Sequence, residues 1–207
     1  MSSKRLLDVA VVASASLLLL PVATVVALMV LLFLGRPVLF RQSRPGYLGR
    51  PFTIFKFRTM RDAADAQGVP LPDGERLNWL GTFLRETSLD ELPELWNVLR
   101  GDMSLVGPRP LLMRYQPFYS EEERIRFTVR PGITGWAQVN GRNEASWDDR
   151  LANDVWYVRN RSLLLDVKIL LRTVVRVVKR EQVVADARSI MLNLDEERAG
   201  LRAGGTQ

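Results

Sequence analysis

The chain has 207 residues, a mass of 23.5 kDa and a net charge of +6, with neither cysteine nor histidine. Those two absences exclude disulfides, thiolate zinc sites, cysteine nucleophiles and every Ser-His-Asp or Cys-His mechanism, and they restrict a bound metal to oxygen ligands. The charge is uneven: residues 1–61 carry +8 and residues 62–207 carry −2, which is not the spread of a nucleic-acid binder.

Val9 to Leu34 is a stretch of 26 residues without a charge. As a straight helix it would be about 39 Å long, against a bilayer core of about 30 Å. It is too long for the apolar region of a signal peptide, and no small-residue cleavage site precedes Arg36. Pro21, preceded by Leu20, divides the run into arms of 12 and 13 residues, each too short to span alone. Lys4 and Arg5 precede the run, and Arg36, Arg41, Arg44, Arg50, Lys56, Arg58 and Arg61 follow it. The positive-inside rule places the C-terminal flank in the cytoplasm, and the N-terminal flank shows no contrary bias. A spanning helix and a re-entrant hairpin broken at Leu20–Pro21 both fit these residues.

Phe52 to Met60 (FTIFKFRTM) alternates apolar residues as a short strand does. The Pro45-Gly46 turn upstream makes residues 38–60 read as a hairpin. Ala63 to Gly74 is a polar loop. Leu77 to Arg85 has helical spacing, and Pro93 to Arg100 is a short helix closing at Gly101. Gly107-Pro-Arg-Pro is a rigid loop, followed by a charged helix over Glu121–Arg126. Arg130 to Arg142 (RPGITGWAQVNGR) has no periodicity and is the kind of irregular polar stretch where binding residues sit. Trp147 to Val158 is helical. Arg161 to Arg180 places Leu163, Leu164, Val167, Leu170, Leu171, Val174, Val175, Val177 and Val178 on one arc, with Leu165 and Ile169 as exceptions. That helix either lies in a headgroup layer or packs on the core. The chain after Val184 reads as loosely ordered.

The most chemically suggestive spot is Thr87-Ser-Leu-Asp-Glu-Leu-Pro93. Asp90 and Glu91 would stand at the entrance of a helix opened by Pro93, where negative charge or a bound phosphate is favoured. With no His or Cys, an aspartate is among the few nucleophiles open to covalent chemistry. Ser88 to Glu91 is also a capping box, and on this motif alone capping is the weightier reading. Lys56, Arg58, Arg85, Arg109 and Arg142 lie in or beside loops, a strand or helix ends, and arginine is the preferred fork for phosphate oxygens.

Taken in order, KRLLD before the apolar run, FRQSRPG, FTIFKFRTM, TSLDELPELWNVLRGDMSLVGPRPLL, RPGITGWAQVNGR and DVWYVRNRSLLLDVKILLRTV resemble the bacterial sugar transferase family, the monotopic phosphoglycosyl transferases. The resemblance covers about residues 3–182 and is to the small, minimal members. GRNEASWDDR and LPDGERL are similar to members acting in protein glycosylation.

The resemblance implies an α+β fold, mainly helical with a small β-hairpin, a re-entrant helix-break-helix in the membrane and interfacial amphipathic helices. It divides the chain into a membrane hairpin (1–37), a catalytic domain (38–184) and a tail (185–207). It implies transfer of a phospho-sugar, by similarity around Gly141 to Asp149 an N-acetylated amino-sugar, from a UDP-sugar to polyprenyl phosphate with release of UMP. Asp90 is then the nucleophile, Asp90 and Glu91 hold Mg²⁺, and Lys56, Arg58, Arg85, Arg109 and Arg142 bind phosphates and the nucleotide-sugar. The enzyme would be monotopic on the cytoplasmic face of the bacterial inner membrane, with membrane lipids and no nucleic acid as partners and a homodimer as an option. Leu20 stands where many members have serine, and Trp136 where a smaller apolar residue is common. Sequence alone leaves two competitors: a membrane-anchored hydrolase using Ser or Thr with Lys56 as base, and a non-catalytic membrane adaptor.

Overall fold

The structure, a computed structural model, describes residues 3–63, 67–69, 71–140, 146–179 and 193–204. The described residues fall into two compact units. The first comprises residues 3–42, 54–101 and 174–179; the second comprises 43–53, 102–140, 146–173 and 193–204.

In the first unit, helix α1 (Ser3–Phe33) carries the apolar run and is long and apolar enough to cross a bilayer. Its middle is open, with Leu17 and Leu18 each 78% exposed. The expected break at Leu20–Pro21 is not a loss of helix, because the backbone stays helical through both residues. Proline removes one donor there. One turn on, the Thr24 hydroxyl bonds the Leu20 carbonyl at 2.9 Å. Near the C-terminal end, Val26 and Val30 pack in one cluster with Phe57, Leu80 and Leu84. Near the N-terminal end, Asp8 and Val12 are buried.

The hairpin expected over 38–60 forms as β1 (Leu39–Pro45) and β2 (Pro51–Phe57), joined through a 3-10 turn at Tyr47–Gly49, with residues 43–53 belonging to the second unit. After a short α2 (Asp73–Arg76), α3 (Trp79–Glu86) is N-capped by Asn78, whose side chain accepts from the Gly81 N–H at 2.9 Å. Helix α4 (Glu94–Arg100) ends at Gly101 with φ 89°, a left-handed cap that favours glycine. Arg5 donates to the Val98 carbonyl and, at 2.7 Å, to that of Leu99. These are last-turn carbonyls, of which that of Val98 also accepts from the Gly101 N–H at 3.0 Å, and a cation there suits the helix dipole.

In the second unit, β3 (Ser104–Val106) and β4 (Gly132–Thr134) pair in parallel, Ser104 opposite Gly132 and Val106 opposite Thr134. The irregular stretch from Arg130 therefore contains a strand, followed by α5 (Trp136–Asn140). Three residues give too little alternation to read. Glycine is required in this pairing: a β-carbon on Gly132 would lie 2.1 Å from the Gly107 nitrogen. The charged segment after Glu121 is a 3-10 turn over Glu123–Thr128 rather than an α-helix.

Helix α6 (Trp147–Asn160) is capped by Ser146. Its buried Tyr157 hydroxyl donates to Asp166 at 2.7 Å. Helix α7 (Leu163–Lys179) turns Asp166 and Ile169 inward, 2% and 0% exposed, while Thr173 bonds Thr134 at 2.7 Å. The arc of leucines and valines faces away: Leu164 is 81% exposed, Leu171 65% and Val174 61%. Leu170 and Val177 of the same arc are half-buried. Helix α8 (Leu194–Gly204) also departs from expectation, since part of the tail is ordered and docked. Leu194 is fully buried with Tyr115, Tyr119, Trp147 and Leu151. Arg198 holds Glu123 through two contacts of 2.6 Å and Asp148 at 2.8 Å.

Candidate active site

The carboxylate pair sits on a corner. Helix α3 ends at Thr87, and Ser88 adopts a left-handed backbone with φ 55°. Leu89–Glu91 then forms a 3-10 turn that leads through Leu92 and Pro93 into α4. Ser88 makes no capping bond from its side chain. The capping box is therefore not formed. A non-glycine residue in this conformation costs free energy and persists only where its surroundings hold it. Here it stands two residues before Asp90.

Asp90 is about nine-tenths buried. The Glu91 carboxylate meets Lys56 Nζ at 2.6 Å, and the same ammonium lies 3.1 Å from Glu94 Oε1. Glu94 is 2% exposed and went unnoticed in the sequence. Its signal was the three-residue spacing from Glu91, which puts both acids on one face of a turn. Asn97 is also buried, and its side-chain oxygen accepts from the Phe55 N–H at 3.2 Å. That bond ties α4 to the strand carrying Lys56.

The basic residues divide. Lys56, Arg58 and Arg85 belong to the same unit as Asp90. Arg85 Nε donates to the buried Thr59 hydroxyl at 3.1 Å. Arg58 pairs with Asp62 at 2.8 Å and donates to the Leu34 carbonyl. Arg109 lies in the second unit, on the loop after β3. Its carbonyl accepts from buried Arg126 at 2.6 Å. Arg126 also pairs with Asp154 at 2.9 Å and donates to the Tyr119 hydroxyl at 2.8 Å. Burial pushes the Asp154 carboxyl up to about 6, with Arg126 pulling against it. Arg142 lies outside the described residues, as does the first half of GRNEASWDDR, residues 141–145.

Oxygen donors of the Asp90–Glu91 kind suit Mg²⁺, which takes one or two carboxylates and completes its shell with water and substrate phosphate. No group of three or more acidic side chains converges as a metal cage among the described residues. The donor set fits a phosphate-borne ion rather than one held by protein alone.

Residues 1–180 match the family described as Bacterial sugar transferase. The chain is 52% identical over 182 residues to the uncharacterized sugar transferase EpsL of Bacillus subtilis (strain 168), covering 86% of this chain and 88% of that protein. It is 43% identical to the UDP-glucose:undecaprenyl-phosphate glucose-1-phosphate transferase of Caulobacter vibrioides, over 83% of this chain and 68% of the relative. It is 41% identical to the protein of the same name in Escherichia coli (strain K12), over 83% of this chain but only 39% of that longer relative.

Proposed function

The chain belongs to the bacterial sugar transferase family, and from that premise we propose that it transfers a sugar-1-phosphate from a UDP-sugar to polyprenyl phosphate, releasing UMP. The observation that supports this best is the Asp90–Glu91 corner. An aspartate is presented there on a turn whose Glu91 is held by Lys56 rather than engaged in helix capping.

In the reading we favour, an Asp90 oxygen attacks the phosphorus bearing the sugar and the bond to UMP breaks. A polyprenyl phosphate oxygen then attacks the same phosphorus, the Asp90–phosphorus bond breaks, and Asp90 is returned as a carboxylate. Phosphoryl transfer asks the protein mainly for positioning and charge neutralisation. Lys56 fixes Glu91, and Asn97 fixes the strand that carries Lys56. Arg85, Arg109 and Arg142 are proposed to bind the donor. Asp90 and Glu91 would hold Mg²⁺, which when bound neutralises the diphosphate charge.

Lys56 contacts two carboxylates and no hydroxyl among the described residues, so the geometry gives a Ser/Lys hydrolase no support. The donor we propose is an N-acetylated amino-sugar, on the resemblance of GRNEASWDDR. Glucose and galactose are its competitors, since they appear in the names of curated relatives.

A membrane placement follows from α1, which is long and apolar enough to cross a bilayer. We propose a monotopic, re-entrant topology on the cytoplasmic face. A helix that spanned would carry Arg5 about 30 Å away, to the opposite leaflet. Arg5 instead bonds the end of α4, within the unit that also packs Val26 and Val30. The outward apolar arc of α7 supports an interfacial role for that helix.

The deciding experiment incubates detergent-solubilised protein with UDP-sugars carrying a labelled sugar, without acceptor. Wild type should become labelled and release UMP, and Asp90→Asn should do neither. Full turnover by Asp90→Asn would refute the covalent route.

A further inference from the structure

A cavity of about 690 Å³ opens at the foot of the membrane helix, lined by Pro37, Val38, Leu39, Phe40, Arg41, Arg58 and Asp62. It lies directly after α1, which ends at Phe33, so its mouth is at headgroup depth if α1 is buried in lipid. Arg58 is 7% exposed and anchored by the Leu34 carbonyl. Its Nε is buried without a hydrogen-bond acceptor among the described residues, so the guanidinium has donor capacity beyond its bonds to Asp62 and Leu34. Arg41 is exposed and stacks over the Phe55 ring at 5.7 Å. Asp62 is the one acid lining the cavity among the described residues, and its side chain is 72% exposed.

Two guanidiniums beside three consecutive apolar side chains make a site for an amphiphile with an anionic head. Val38 and Leu39 are partly buried against the Val26 and Val30 cluster, and a free phosphate would use the cations but leave Phe40, which is exposed, facing water. We propose that this cavity holds the acceptor lipid, its phosphate on Arg41 and Arg58 and its first isoprene units against Val38, Leu39 and Phe40. Asp62 then competes with the lipid phosphate for Arg58 and is displaced toward solvent when the lipid enters. Binding of a lipid phosphate rests on the cavity itself; only the identity of that lipid as the acceptor rests on the proposed reaction.

The test uses Arg41→Gln and Asp62→Asn, two exposed positions, because Arg58→Ala would also remove the tie to Leu34. Full-length protein is presented with nanodiscs of neutral phospholipid carrying undecaprenyl phosphate, undecaprenol or phosphatidylglycerol. Wild type should bind the undecaprenyl phosphate discs in preference to the other two. Arg41→Gln should weaken that binding, and raise the KM for undecaprenyl phosphate, about 5- to 10-fold, the size of one charge-assisted hydrogen bond. Asp62→Asn should tighten it about threefold by removing the competing carboxylate. The rate of labelling by UDP-sugar without acceptor should follow wild type in both variants.

Equal binding to the phosphatidylglycerol discs would make this a general anionic-lipid site and overturn the proposal. So would slower labelling, or weaker binding in Asp62→Asn. Because binding is read without turnover, a wild type that binds the lipid but is never labelled would defeat the proposed reaction and leave the cavity assignment standing.

Discussion

Glu94, 2% exposed, has the Lys56 ammonium 3.1 Å from its carboxylate, and that ammonium also holds Glu91 at 2.6 Å. One cation thus joins the strand β2 to the last residue of the turn that presents Asp90 and to the first residue of α4. Removing it leaves a buried carboxylate without this counter-ion, at a cost of about 2–3 kcal/mol. Lys56→Gln should therefore lower the Tm, and adding Glu94→Gln should recover part of the loss because one buried charge goes with it. The double-mutant cycle, read by thermal unfolding, isolates the pair. Activity should not recover in the double variant, since Glu91 still lacks its partner.

The position of Arg5 makes topology testable. Its bonds to the Val98 and Leu99 carbonyls place the start of α1 beside the end of α4. Cysteines introduced singly at Ser3 and Arg44 should both react with membrane-impermeant thiol reagents only from the cytoplasmic side. The natural chain has no thiol to interfere. Labelling of residue 3 from outside would establish a spanning helix.

Asp154 predicts a pH dependence. Its carboxyl titrates at 3.8 when free and at about 6 in the fold, where burial disfavours the charge. Between those values the folded chain holds a proton that the unfolded chain has released. Raising the pH through that window therefore weakens the fold. The Tm of wild type should show this downward contribution between about pH 4 and pH 6, and Asp154→Asn should lack it. Arg126 holds both Asp154 and the carbonyl of Arg109. Arg126→Lys, which cannot serve all three partners with one fork, should raise the KM for UDP-sugar and leave the KM for polyprenyl phosphate near wild type.

Most helices were legible because their signals are local. The uncharged run, the spacing in α7 and the Gly101 cap each depend on neighbours within a few residues. The turn at Pro45-Gly46 was legible for the same reason. What escaped depends on partners far along the chain. The β3–β4 pair joins segments 28 residues apart in register, Ser104 to Gly132, and neither is long enough to alternate. Glu94 acquires meaning only through Lys56, on another element. Ser88 to Glu91 has the letters of a capping box, yet Ser88 turns left-handed to end α3, so the local pattern gave the wrong weight to the right residues. Helix α8 was missed because its sequence, LDEERAGLRAG, has only two leucines to mark an apolar face. Its order comes from Leu194 and Arg198 reaching segments some 75 residues earlier.

Helix α8 carries the last prediction. Arg198 bonds Glu123 twice, Asp148 once and the Phe118 carbonyl at 2.7 Å, joining the tail to both the Glu123–Thr128 turn and the first turn of α6. Burial alone would push Glu123 up, but Arg198 and Ser120 outweigh it and hold the carboxyl below its ordinary 4.5. A carboxyl depressed in the fold contributes stability that is present above its unfolded value and lost as the pH falls through its folded one. Arg198→Ala should thus cost about 1–2 kcal/mol near neutral pH, where a partly buried bidentate pair is broken. The Tm gap to wild type should shrink below about pH 4.5, as Glu123 becomes protonated in both proteins. A chain ending before Asn193 should show the same loss and more, because Leu194 also leaves its place among Tyr115, Tyr119, Trp147 and Leu151. A gap that stays constant from pH 7 to pH 3.5 would mean that Arg198 acts through packing of its stem and not through Glu123.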